Sequence, residues 1–145
     1  RRLGLPAVLL VGSHPENRLA GPPPADVVIE SHVRHSTLFR HASVIVHQGG
    51  AGTLHHALRA GRPSLIVPFA HDQPDNAYRV QRLGVSRPLL PKRYDAAQVV
   101  KNLMLLREDP TYAIRAREVA EQVRAEDAVK NACDAIEEVL AGAIA

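Results

Sequence analysis

One segment, Val44 to Gly61 (VIVHQGGAGTLHHALRAG), constrains the fold of this chain more than any other. A run of β-branched residues ends at His47, small residues fill positions 49–52, and a helical spacing of apolar residues follows. This order predicts a strand, a tight turn and a helix. Such units, repeated along a chain, build a parallel sheet covered by helices.

The small-residue turn also predicts an anion-binding site. Side chains are almost absent at Gly50, Ala51 and Gly52, so backbone N–H groups at the start of the helix can point at a ligand. The helix dipole adds partial positive charge at the same place. Thr53 supplies a hydroxyl and His47 a ring N–H. The segment therefore fits a diphosphate, although glycines in such a turn can also serve its geometry alone.

Two familiar phosphate-binding motifs do not fit this turn. A dinucleotide fingerprint requires a glycine at the sixth position counted from Gly50, where this chain has His55. A P-loop requires a lysine directly after its glycines, and none is present. The predicted cradle therefore belongs to neither class.

The composition predicts a single domain, residues 1–145, without a nucleic-acid partner. The formal charge is only +3, Lys and Arg are scattered, and the aromatic residues are three Tyr and two Phe. Nucleic-acid binding normally requires a basic stripe or a stacking platform. No apolar run is long enough for a membrane span and no signal-peptide pattern is present, so we expect a cytoplasmic protein.

The single cysteine and the histidines do not predict a redox or metal site. Cys133 lies among apolar residues of a helical segment, which favours a small core side chain. His32 and His35 have a ligand-like spacing, but no cysteine lies near them, and the adjacent His55 and His56 point apart on a helix. We therefore predict no metal.

Alternating apolar runs and helical patterns extend the strand–turn–helix prediction to the whole chain. The first predicted strand is expected to be buried on both faces. The predicted strands are Ala7–Val11, Val27–Ile29, Ser43–Val46, Leu65–Phe69 and Val85–Leu90. Helices follow, each beginning at a capping aspartate, namely Asp95, Asp109 and Asp127. The pattern predicts an α/β, Rossmann-like, doubly wound parallel sheet with a helical C-terminus.

The ends of the predicted strands locate a binding crevice. The opening residues, Arg1 to Pro6, have the pattern of a helix end, which predicts that a first strand and helix of the sheet lie outside the chain. Ligands of doubly wound sheets bind at the carboxyl ends of the strands. Three polar turns fall there and are expected to line one crevice: Glu30–His35, His47–Thr53 and His71–Gln73.

The segment from His47 to Val85, HQGGAGTLHHALRAGRPSLIVPFAHDQPDNAYRVQRLGV, closely resembles the donor-binding half of nucleotide-sugar glycosyltransferases with the two-domain GT-B fold. The similarity runs from about Ala7 to Leu140. It is strongest to bacterial enzymes that glycosylate antibiotics, macrolides or sterols. The combination of a histidine, a small-residue turn and a later Asp-Gln pair carries the resemblance.

The resemblance implies a role for each polar turn. His47 and the small-residue amides contact the donor diphosphate, the Asp-Gln pair binds sugar hydroxyls, and the first turn lies at the nucleobase and ribose. The implied nucleotide-sugar site comprises His32, Val33, His35, His47, Gly50, Ala51, Gly52, Thr53, Asp72 and Gln73. This chain has His32 and Arg34 where the family has Trp and Pro, which implies weaker base stacking. It also has His55 where plant relatives have a ribose-binding Glu.

The resemblance further implies the chemistry. A hexosyl group passes from a UDP- or TDP-linked donor to the hydroxyl of a small-molecule acceptor with inversion, and no cofactor takes part. His47 stabilises the leaving diphosphate, whereas the general base belongs to an N-terminal acceptor-binding domain. The chain itself is therefore expected to hold no catalytic base and to depend on that domain or on a separate subunit, and homo-oligomers are a further possibility.

Three alternatives stay open from the sequence. The chain could be a non-catalytic nucleotide-sugar-binding or regulatory module, or one subunit of a split two-chain glycosyltransferase. A nucleotide-sugar 2-epimerase shares the fold, although the Asp-Gln pair argues against it. Locally, Asp72 and Gln73 could serve only to cap the helix that begins near Pro74.

Overall fold

The computed structural model describes residues 3–17 and 21–143. Strands and helices alternate in its first half, and helices occupy its C-terminal part. The strands are β1 (Ala7–Leu10), β2 (Val27–Glu30), β3 (Ile45–His47), β4 (Ser64–Ile66) and β5 (Ser86–Pro88). The α-helices are α1 (His35–Leu38), α2 (Ala51–Ala60), α3 (Gln73–Arg82), α4 (Ala96–Glu108), α5 (Pro110–Ala125) and α6 (Ala128–Ala143). Single-turn 3₁₀ helices span Pro15–Asn17, Phe39–His41 and Pro91–Arg93.

All described strand pairs are parallel, as the sequence predicts, but they form two sheets. One sheet pairs β1 with β2, and the other has the order β3-β4-β5. In the common doubly wound order 3-2-1-4-5-6, the first strand lies in the middle. Without that strand, the other five would remain as a pair and a triplet. The observed pair and triplet have the arrangement of strands 3-2 and 4-5-6 of that order.

The core is centred on β4. Leu65 and Ile66 are both 0% exposed, because successive strand residues point to opposite faces and each face is covered. Leu65 packs in a cluster with Leu106 of α4, and Ile66 in a cluster with residues of α2, α3 and α5. Helices on both faces of a parallel sheet confirm the α/β class.

The predicted helix starts are confirmed at the three aspartates. The Asp95 side chain accepts hydrogen bonds from the N–H groups of Ala97 and Gln98, at 2.8 and 2.9 Å. Asp109 caps α5 through the N–H of Thr111, and Asp127 accepts from the N–H of Lys130 at the start of α6. Within the described residues, no helix is both long and apolar enough to cross a membrane.

Two burial predictions are wrong. β1 was expected to be buried on both faces, yet Val8 is 44% and Leu9 is 42% exposed, because β1 packs chiefly against β2. Cys133 was expected in a core, yet it is exposed, since no residue of α6 up to Gly142 is buried. The helix-end pattern predicted for residues 1–6 includes Arg1 and Arg2, which lie outside the described residues.

Candidate functional site

His47 ends β3 and is only 8% exposed. Its Nδ1 accepts a hydrogen bond from the backbone N–H of Gly49 at 3.0 Å. A neutral imidazole that accepts at Nδ1 carries its proton on Nε2. The Nε2 atom is buried and has no hydrogen-bond partner. A buried polar group is normally paired, so this unpaired donor is an exception and makes His47 a candidate ligand contact.

Burial also sets the protonation state of His47. Burial first and, to a smaller extent, the nearby His35 together lower the pKa of this histidine to about 4. At neutral pH the ring is therefore uncharged. The uncharged ring has one N–H donor. Because Nδ1 accepts the bond from Gly49, that donor is at Nε2.

The helix that follows begins without a side-chain cap. Gly50 occupies the N-cap position, in extended geometry, and makes no side-chain cap hydrogen bond. The Leu54 N–H bonds to the Gly50 carbonyl oxygen at 2.9 Å, which leaves the earlier N–H groups without intrahelical partners. Those groups belong to Ala51, Gly52 and Thr53, which are exposed or half-buried. These are the N–H groups that the sequence predicts to contact an anion, and we refer to them as the cradle.

Gly49 brings this cradle against the next strand and turn. Its φ is +93°, a backbone conformation that side chains disfavour. A Cβ atom at this position would lie 2.9 Å from Ile66 Cγ2 and 3.3 Å from the Gln73 carbonyl oxygen. The close approach explains why only glycine fits here, so the geometric explanation holds for Gly49.

The Asp-Gln turn lies beside the cradle. Asp72 makes no side-chain cap hydrogen bond, so capping alone does not explain this residue. Its Oδ2 instead accepts from the side-chain amide of Asn76 at 2.7 Å. Gln73 Oε1 accepts from the backbone N–H groups of Phe69 and Ala70 at 2.8 and 3.3 Å, which commits this oxygen to the loop. Asn76 was not predicted as a site residue, although its spacing of four residues from Asp72 places both on one helix face.

Only part of the turn at residues 30–35, which was predicted to bind the base and ribose, lies near His47. His35 stacks on Phe39, with ring centroids 4.6 Å apart, and contacts His56 edge to face at 5.6 Å. His35 lies close enough to His47 to lower its pKa. His32 is exposed and Val33 is half-buried. The rings of Phe39 and His56 were not anticipated, because nothing in the sequence pairs them with His35.

The remaining histidine of the motif lies elsewhere. His55 lines a cavity of about 410 Å³ together with Arg59 and residues 123–129 at the junction of α5 and α6. His55 thus shares a cavity with residues of α5 and α6 and not with those of the polar turns. Within the part of the chain that the structure describes, no three His, Cys, Asp or Glu side chains converge as metal ligands.

These features define a parallel α/β domain in which an uncapped helix start and the polar Asp72–Gln73 turn lie side by side. Residues 10–139 match the family described as "Erythromycin biosynthesis protein CIII-like, C-terminal domain". The chain belongs to this family. The membership confirms the resemblance predicted from the His47 to Val85 segment.

Named relatives agree with this family. The O-mycaminosyltylonolide 6-deoxyallosyltransferase of Streptomyces fradiae is 38% identical over 132 residues, which cover 90% of this chain and 30% of that protein. The glycotransferase of kitacinnamycin superposes with a TM-score of 0.80 at 30% identity, over 90% of this chain and 34% of the other. Spinosyn rhamnosyltransferase SpnG, complexed with thymidine diphosphate, gives 0.76 at 27% identity, over 84% and 33%. The chain thus spans about a third of the length of these relatives.

Proposed function

We propose that this chain is the donor-binding domain of an inverting glycosyltransferase and holds a nucleoside diphosphate sugar. The observation that carries the proposal is the buried, unpartnered Nε2–H of His47, which lies beside an uncapped helix N-terminus. An uncharged imidazole N–H beside the backbone N–H groups at the positive end of a helix dipole suits a diphosphate. The polar turn at Asp72 and Gln73 lies next to them and suits sugar hydroxyls.

The chemistry follows from charge development. An acceptor hydroxyl attacks the anomeric carbon, the bond from that carbon to the diphosphate oxygen breaks, and the hydroxyl proton passes to a base. Negative charge grows on the diphosphate, where the His47 N–H and the amides of Gly50, Ala51, Gly52 and Thr53 would stabilise it without a metal. No cofactor enters this scheme. The base and the acceptor pocket are assigned to an acceptor-binding domain or subunit.

The nucleotide and sugar are proposed from the relatives. The complex of spinosyn rhamnosyltransferase SpnG with thymidine diphosphate supports a TDP-linked donor, with UDP as the other candidate. The 6-deoxyallosyltransferase relative supports a hexosyl group. A small hydroxylated acceptor and a cytoplasmic location complete the proposal.

Calorimetric titration of this chain with UDP, TDP, GDP and their glucose conjugates tests the proposal directly. We expect binding, because the N–H groups of the cradle are already oriented in the free chain. We expect it for one base series. The conjugate should bind more tightly than the bare diphosphate, because the sugar reaches Asp72 and Gln73. A folded chain that binds none of these ligands would contradict the proposal.

Replacing His47 by alanine should weaken binding of the bare diphosphate by about 1.5 to 3 kcal/mol, the range for hydrogen bonds to charged groups. The substitution His47→Asn separates two roles of this ring. An Asn oxygen can still accept the Gly49 N–H, but no donor remains at the Nε2 position. Equal losses in both variants would identify Nε2–H as the ligand-binding group. Normal affinity in both would remove His47 from the site.

Replacing Asp72 by alanine should weaken the sugar conjugate by about 1.5 kcal/mol and leave the bare diphosphate almost unchanged. The reason is that the carboxylate lies in the turn beside the cradle and not among the cradle amides. Asp75→Ala is the matched control, because Asp75 lies in the first turn of the same helix but pairs with Arg79 on its exposed face. Equal losses for both ligands would contradict the sugar-binding role of Asp72.

A further inference from the structure

Asn76 joins the cradle to the Asp72–Gln73 turn, which we call the sugar turn from its proposed role. Its Nδ2 donates to the carbonyl oxygen of Gly49 at 3.0 Å and to Asp72 Oδ2 at 2.7 Å. A side-chain amide nitrogen carries two hydrogens, so both bonds can form together. The Asn76 backbone N–H also donates to the Asp72 carbonyl oxygen at 3.0 Å. One half-buried side chain therefore fixes two turns that are more than twenty residues apart in sequence.

The packing of Gly49 independently links the same two turns. Its α-carbon faces Ile66 and the Gln73 carbonyl so closely that a Cβ atom would not fit. Gln73 in turn holds the exit of β4 through the N–H groups of Phe69 and Ala70. The sugar turn is thus fastened to its own strand by Gln73 and to the cradle by Asn76.

We propose that Asn76 is a positioning residue that holds the Asp72 carboxylate in register with the diphosphate cradle. The inference rests on the proposed function and gives Asn76 a role that requires no contact with the substrate. With Oδ2 of Asp72 held by Asn76, Oδ1 is the oxygen that a sugar hydroxyl meets. With Oε1 of Gln73 held by the loop, its amide nitrogen is the group left for the sugar. The pair then selects one hydroxyl that donates and one that accepts.

Binding measurements on Asn76 variants test the positioning role. Asn76→Ala should weaken the sugar conjugate about tenfold more than it weakens the bare diphosphate, because the carboxylate loses its fixed direction. Asn76→Asp should weaken the conjugate at least as much, since a second carboxylate beside Asp72 repels it. Asp75→Asn, one residue earlier on the exposed face, should leave both affinities unchanged. Thermal unfolding of each variant reports whether it is folded.

A ligand-free measurement keeps this proposal separate from the proposed function. In NMR spectra of the free chain, the Asn76 side-chain amide protons should exchange with solvent more slowly than those of the exposed Asn131. The variant Asp72→Ala should shift one of the two Asn76 amide signals and leave the other, which is bonded to Gly49. These results would establish the bridge even if the wild-type chain bound no nucleotide sugar.

Each of the following outcomes would overturn a specific part of the proposal for Asn76. Amide exchange at Asn76 as fast as at Asn131 would show that the bridge is absent. Equal loss of conjugate and bare diphosphate in Asn76→Ala, or no loss of either, would reject the positioning role while leaving the donor-site proposal intact. Equal affinity of the wild-type chain for conjugate and bare diphosphate would reject sugar binding at Asp72, and the positioning role with it.

Discussion

Replacing Gly49 by alanine should lower the free energy of unfolding by about 2 to 5 kcal/mol. Two costs add at this position. The φ of +93° disfavours any residue with a side chain, and the new Cβ atom would lie 2.9 Å from the Cγ2 of Ile66, which is fully buried and cannot move away. Crowding against a close-packed strand displaces the backbone, which here leads directly into the cradle. Diphosphate binding should therefore fall together with stability.

Two other glycines provide matched controls for this prediction. Gly84 also has a positive φ, of +75°, but its Cβ atom would meet only Arg115 Cγ at 3.7 Å, so Gly84→Ala should show the backbone cost alone, about 1 to 2 kcal/mol. Gly52 lies in a helix with open space around it, so Gly52→Ala should be neutral or stabilising. Urea unfolding measures all three variants. Equal effects at positions 49 and 84 would show that crowding at Ile66 is absent.

The parts of the fold that depend on local physics follow from the sequence. Asp95, Asp109 and Asp127 form the predicted capping bonds, because the acceptor and the free N–H groups lie within three residues, whereas Asp72 before α3 forms none. The turn after His47 follows for the same reason, since its small residues determine both the backbone shape and the exposure of the amides. The helices that begin after Asp95, Asp109 and Asp127 and the uncapped helix start at Ala51 are therefore predictable without any knowledge of tertiary contacts.

Burial and hydrogen-bond pairing between distant segments do not follow from the sequence. The apolar run at Val8 and Leu9 has the composition of a buried strand, but burial depends on what packs against it. The same holds for Cys133, whose helix has an apolar pattern and no buried residue up to Gly142. The tautomer of His47 and the bridge through Asn76 depend on single contacts, to Gly49 and to Asp72, that no residue pattern specifies.

Lowering the pH from 7 to 4 should cost the folded chain about 3 kcal/mol of unfolding free energy through His47 alone. In the unfolded chain this ring has its ordinary pKa of 6.5, whereas burial lowers the folded-state pKa to about 4. As the pH falls below 6.5, the unfolded chain takes up a proton that the folded chain does not bind. The contribution is therefore fully present above pH 6.5 and is lost progressively down to about pH 4.

Urea unfolding at several pH values, with wild type and His47→Asn compared, measures this contribution. Asn does not titrate and can keep the bond from the Gly49 N–H, so the variant retains the turn without the ionisable ring. The pKa of His35 is also lowered, first by burial and then by His56 and His32, and it acts in the same direction. Because His35 is present in both proteins, its contribution largely cancels in the difference. The stability advantage of wild type should shrink by about 3 kcal/mol between pH 6.5 and 4. Parallel stability curves would mean that His47 is not held neutral in the folded chain, and its role as an uncharged Nε2–H donor would then fail as well.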